Sequence, residues 1–106
     1  MSVLVVGSFV TDLVALCERA PNAGETLHGK EFNVYPGGKG ANQAVAAKRM
    51  GADVTMVGCV GNDIFGDDFV KIFTEEGVDT QYIKRTSNAR TGCSLVTLET
   101  NGQNRI

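Results

Sequence analysis

Paired cysteines are missing from this sequence. The three that occur, Cys17, Cys59 and Cys93, are odd in number and show no CxxC spacing. That excludes a disulfide framework and reads as free thiols in a reducing compartment. A surplus of positive charge is missing too. Ten Lys and Arg against twelve Asp and Glu leave a net charge of −2, and the basic residues are scattered, so there is no footprint for nucleic acid. No apolar run is long enough for a bilayer span; residues 3–6 are far too few. No basic segment precedes that run, which argues against a signal peptide. There is no N-x-[ST] sequon, no internal repeat and no low-complexity tract. The one histidine, His28, stands in a turn region with no second ligand near it and reads as a surface group. These absences lead to the expectation of a cytoplasmic protein, with the nucleus also open to it, that binds neither nucleic acid nor membrane.

What is present is the make-up of one small globular domain: 106 residues, 42% hydrophobic and 21% charged. VLVVG, residues 3–7, reads as a buried parallel strand closed by glycine. Residues 12–17 and 30–36 alternate polar with apolar and read as half-exposed antiparallel strands. A helix is expected over about 41–50, stopped by Gly51. A second buried strand follows over 53–60. Asp63 or Asn62 then caps a second helix, whose Phe65, Phe69, Ile72 and Phe73 share one face. A short strand near 80–84 and another over 92–98 come next, then a hairpin turn at 99–102, where Asn101-Gly102 suits type I′. Strand–helix–strand–helix–strand order predicts an α/β fold with a partly parallel sheet. The half-exposed strands do not belong in such a sheet and imply a side sheet or flap. The sequence stops at Asn104-Arg105-Ile106, where the returning strand should begin, and this is read as a piece of a longer chain.

The stretch GGKGANQA, residues 37–44, carries the chemistry. A Walker A loop fails here, because Asn33 stands where its first glycine is required and Gly40 follows Lys39 where Ser or Thr is required. The dinucleotide fingerprint fails as well, since Gln43 takes its last glycine position. What remains is a glycine turn that lets backbone N–H groups approach a ligand at a helix start, or simply a tight turn before a helix. Asn42 offers both donor and acceptor, as a polyol requires, and Lys39 adds a mobile cation. Asp12 lies just past the first strand, at the carboxyl end where open α/β sheets bind ligands. Its carboxylate can accept from two adjacent hydroxyls; it can equally be a turn or cap residue. Asp63, Asp67 and Asp68 read as acids favoured at a helix N-terminus, not as a cation site. Cys59 reads as a small buried hydrophobe, whereas Cys17 and Cys93, on the side strands, read as more exposed. Lys84, Arg85 and Arg90 read as a solvated group.

The sequence resembles the PfkB family of carbohydrate kinases, and its ribokinase branch in particular. The first family signature is filled at every fixed position: Gly37-Gly38, Lys39, Gly40, Ala41, Asn42, Gln43, Ala44, then six residues to Gly51 and nine to Gly61. VVGSFVTD at 5–12, PNAGET at 21–26 and VGNDIFGDDF at 60–69 match further.

The resemblance implies a ribokinase-like α/β/α sandwich with a small β-sheet lid, incomplete in this chain. Residues 1–106 would be its N-terminal part, with lid strands about 12–18, 30–36 and 91–98 inserted in the core. It implies ATP-dependent phosphorylation of D-ribose at its primary hydroxyl, with this chain supplying the sugar-binding half. Val10, Thr11, Asp12, Gly38, Lys39, Gly40, Ala41 and Asn42 would line the sugar pocket. The glycine pair would be the joint on which the lid closes. Mg2+, ATP and an activating K+ are implied, all bound outside this chain, and so is a homodimer formed through the lid. The family's GxGD motif, which supplies the catalytic base, does not occur here, so no catalytic and no metal-binding residue is assigned and the 106 residues alone are expected to be inactive. Other readings are another sugar or nucleoside kinase of the family, or a non-catalytic sugar-binding or dimerisation module. Val10 departs from the pattern: bacterial ribokinases carry Asn there, and valine cannot hydrogen-bond through its side chain.

Overall fold

The computed structural model describes all 106 residues, which form seven strands and two helices. Two compact units divide them. One is Met1–Thr11 with Pro36–Gly92, and the other is Asp12–Tyr35 with Cys93–Ile106.

The first unit is an α/β layer. Its strands are β1 (Ser2–Val6), β4 (Asp53–Gly61) and β5 (Ile83–Thr86), all parallel, in the order β1-β4-β5. Helices α1 (Lys39–Arg49) and α2 (Ile64–Glu76) cover one face of this sheet. Between them lie Val5, Phe9, Ala41, Ala44, Val54, Met56, Val60, Phe69, Phe73, Val78 and Ile83, which make up the core. Phe69, Phe73, Met56 and Val60 are the largest side chains wholly out of water; each contributes about 1.5–3 kcal/mol by leaving it. Both helices end at a glycine, the first at Gly51 as expected and the second at Gly77. Gly51 and Gly77 adopt φ of +99° and +85°. The N–H groups of Gly51 and Ala52 reach back to Lys48 and Ala47, and those of Gly77 and Val78 to Thr74 and Phe73. Both are Schellman ends.

Several sequence expectations change here. The apolar run over 3–6 is not buried on both faces: Val5 is inside, but Leu4 and Val6 are 64% and 73% exposed. The reason is that this unit's helices lie on one face of the sheet only. Cys59, on the same outward side, is exposed. α1 begins two residues before the expected 41, because Gly38 turns the chain directly into it. The last parallel strand sits at Ile83–Thr86 rather than 80–84.

The second unit is built around a sheet of order β3-β2-β6-β7, with β2 at Val10–Cys17, β3 at Glu31–Gly37, β6 at Gly92–Glu99 and β7 at Asn104–Arg105. Strands therefore occupy the stretches expected near 12–18, 30–36 and 91–98, each shifted by a residue or two. β3 is exposed along nearly its whole length, Phe32, Val34 and Tyr35 included. Cys17 is buried, not exposed as expected, while Cys93 is exposed. The loop after β2 is held by Arg19, which grips Glu25 through two hydrogen bonds of 2.6 and 2.8 Å. That guanidinium, helped by the Asn22 N–H, holds the Glu25 carboxyl down at about 2. Glu99, buried, accepts from the Ala20 N–H at 2.8 Å. The β6–β7 hairpin is not type I′, since Gly102 has positive φ and Asn101 does not. Glu99 N–H pairs with Gln103 C=O and Gly102 N–H with Glu99 C=O. This is the three-residue loop with a left-handed glycine in its last place.

Candidate functional site

The glycine stretch closes on the segment that follows β1. A Cβ on Gly38, whose φ is +99°, would sit 2.5 Å from the Ser8 carbonyl oxygen and 3.0 Å from the Val10 nitrogen. A Cβ on Gly40 would sit 2.7 Å from the Gly7 Cα. Only residues without side chains allow two backbones to approach this closely. The glycines thus have a packing reason independent of any ligand. Gly7-Ser8-Phe9-Val10 and Gly38-Lys39-Gly40 lie backbone against backbone.

Phe9 fixes that segment from below. Its ring enters the core with centroids 4.9 Å from Phe69 and 5.3 Å from Phe73. It passes over β4 at Gly58, where a Cβ would meet its Cε2 at 2.7 Å. The α2 stripe was legible in the sequence. Phe9 was not, because it is a lone aromatic between elements; the glycines on either side of its path are the only signal.

At the start of α1 no side chain caps the helix and no acid occupies the first turn. Ala41 N–H leans on Ser8 C=O at 3.4 Å, and Asn42 N–H closes the first helical bond to Gly38 at 2.9 Å. The N–H groups of Lys39 and Gly40 have no partner within the helix. Gly40 and Ala41 are buried, whereas Lys39 and Asn42 are exposed. Asn42 stands at the rim of a groove of about 440 Å3 between α1 and α2, with Pro36, Val45, Phe69 and Ile72 among its walls. Val10 is half-buried and Thr11 buried. Seven of the eight sequence-chosen residues, all but Asp12, therefore belong to the first unit, and the structure brings Gly38 against Val10.

Asp12 is the first residue of the second unit. It is half-buried on β2, and Ser94 on neighbouring β6 donates its hydroxyl to Asp12 Oδ1 at 2.7 Å. Ser94 was not legible in the sequence. It is 82 residues away, and only the β2–β6 pairing reveals it.

Asp63 and Asp67 have structural partners, while Asp68 is exposed. Asp63 caps α2: its Oδ1 accepts from Gly66 N–H and the Thr91 hydroxyl, and its Oδ2 from Thr91 N–H, each at 2.8 Å. Led by the Thr91 N–H, these donors hold its carboxyl below the usual range. Asp67 pairs with Arg85, so that arginine is not merely solvated as expected. His28 is exposed. No three His, Cys, Asp or Glu side chains cluster as metal ligands. No helix is long and apolar enough to cross a membrane.

Residues 1–106 match the sequence profile described as pfkB family carbohydrate kinase. The chain belongs to that family. It is 46% identical over 105 residues to the ribokinase of Mus musculus, covering 99% of this chain and 32% of that protein. The Schizosaccharomyces pombe ribokinase is 42% identical over 112 residues, with 100% and 35% covered. Among solved structures, the Arabidopsis thaliana ribokinase complexed with ribose and ATP superposes with a TM-score of 0.89 at 35% identity, covering 96% of this chain and 33% of that one. This pfkB-family chain therefore has the ribokinase-type α/β fold in part, and spans about a third of the length of the curated relatives it matches.

Proposed function

We propose that this chain supplies the sugar-binding part of an ATP-dependent kinase that phosphorylates D-ribose at its primary hydroxyl. The observation that carries the reading is the close approach of Gly38 and Gly40 to the Gly7–Val10 segment. It sets free N–H groups and the side chains of Lys39 and Asn42 at a helix start, while β2 leads within two residues of Val10 to a carboxylate. Asp12 accepts from two ribose hydroxyls. Asn42 gives and takes with a third, Lys39 donates, and Gly38 lends its backbone. Val10, Thr11, Gly40 and Ala41 complete the lining. Acceptors on Asp12 and Asn42 and donors on Lys39, Asn42 and the Gly38 backbone together orient the sugar for in-line transfer.

The second unit acts as the lid, and its closure excludes water. ATP with Mg2+ and an activating K+ serve the reaction from residues outside this chain. The protein acts in the cytoplasm. Its exposed β3, carrying Phe32, Val34 and Tyr35, pairs with a second copy. Light scattering tests that pairing: Tyr35→Lys lowers the mass to that of a monomer, and an unchanged mass discards it.

A second reading keeps the kinase and changes the sugar. The Val10 side chain offers no hydrogen bond where bacterial ribokinases carry Asn, so the site has one hydroxyl partner fewer, which favours a sugar with one hydroxyl fewer. The test is ATP-dependent phosphorylation by the full-length protein carrying this segment, assayed on a panel of pentoses. Ribose as the preferred acceptor supports the first reading. A preferred deoxypentose, reversed by Val10→Asn, supports the second, and no transfer to any sugar rejects both.

A further inference from the structure

The hydrogen bond between Ser94 and Asp12 joins the middle of β6 to β2 within one sheet. The separation is 2.7 Å, and both residues are half-buried. It is the one hydrogen bond made by the Asp12 carboxylate. A short O–H···O− bond is charge-assisted and stronger than a neutral one. A carboxylate on a strand otherwise turns freely about its terminal torsion. The serine proton locks that torsion. It occupies one oxygen and leaves Oδ2 as an acceptor in a fixed direction.

We propose that Ser94 is a positioning residue for the sugar-binding carboxylate, holding Asp12 so that its Oδ2 is aimed to accept from the hydroxyls of the sugar. This rests on the reading of Asp12 as a sugar ligand. A bland cross-strand pair would predict a small change in stability and none in binding. A positioning role predicts the reverse.

The test uses the full-length protein carrying this segment. Ribose affinity is read by calorimetry, KM for ribose and for nucleotide by kinetics, and melting temperature alongside. Ser94→Ala weakens ribose binding and raises its KM by roughly tenfold, the worth of one hydrogen bond to a charged group. The KM for nucleotide stays unchanged. Ser94→Thr, which restores the hydroxyl, recovers most of the affinity. Ser94→Cys, close in size but a weak donor, behaves like Ser94→Ala and guards against a folding artefact. Asp12→Ala is the control. If it abolishes ribose binding while Ser94→Ala and Ser94→Cys bind normally, the positioning role is wrong and the sugar reading stands. Equal impairment in the Ala, Cys and Thr variants also overturns it, in favour of simple packing. If Asp12→Ala binds ribose normally, the sugar reading falls and takes this proposal with it.

Discussion

Asp63 takes both hydrogens that Thr91 offers, the backbone N–H on Oδ2 and the hydroxyl on Oδ1, each at 2.8 Å. The same carboxylate caps α2 through Gly66, and the Thr91 oxygen in turn accepts from Gly61 at 2.9 Å. One acid thus ties the end of β4, the start of α2 and the chain before β6 together. Loss of an N-cap costs about 0.5–2 kcal/mol, so Asp63→Ala lowers stability by roughly 1–2 kcal/mol in chemical denaturation. Asp63→Asn, an equal cap, loses less. The carboxyl's folded pKa lies below its unfolded value. Its stabilisation is therefore complete above the unfolded value, near 3.8, and lost as pH falls through the folded one. Denaturation midpoints below pH 4 fall more steeply in the wild type than in Asp63→Asn. Parallel curves would show that this acid has no such role.

Gly38 and Gly24 both have positive φ, but they differ in surroundings. Gly38 is crowded by Ser8 and Val10, while nothing lies within 4 Å of a Cβ at Gly24. Gly24→Ala carries only the conformational penalty of about 1–2 kcal/mol. Gly38→Ala adds a backbone clash and exceeds it, by roughly 1–3 kcal/mol of stored strain. Equal denaturation midpoints for the two variants would mean that the Gly7–Val10 segment yields easily.

Phe9 couples the core to the candidate site. Phe9→Ala removes a ring that touches Phe69 and Phe73 and costs about 3–5 kcal/mol. Phe9→Leu costs less and keeps the fold. In the full-length protein it also weakens ribose binding, because the segment bearing Val10 loosens. A Phe9→Leu protein of lower stability with unaltered ribose affinity separates the two roles and removes Phe9 from site positioning.

The sequence showed what repeats at short range. The four-residue spacing of Phe65, Phe69 and Phe73 announced α2, and Gly51 announced the end of α1. The alternation over residues 12–17 and 30–36 announced strands that the parallel sheet does not use. Long-range neighbours stayed hidden. Thr91 lies 28 residues beyond Asp63, and Ser94 meets Asp12 only through strand pairing. Apolar content also misled, since Leu4 and Val6 read as buried and face outward from a sheet whose helices lie on its other face. The glycines of residues 37–40 were legible as a special turn. Their reason, backbone contact with the segment after β1, required the fold.

The most direct test of the account is calorimetric titration of ribose into the full-length protein carrying these residues, beside its Asp12→Ala variant. Two hydrogen bonds to a charged group are lost in that variant, so the account predicts affinity reduced by at least roughly a hundredfold, with the melting temperature little changed. Wild-type affinity in Asp12→Ala would contradict it.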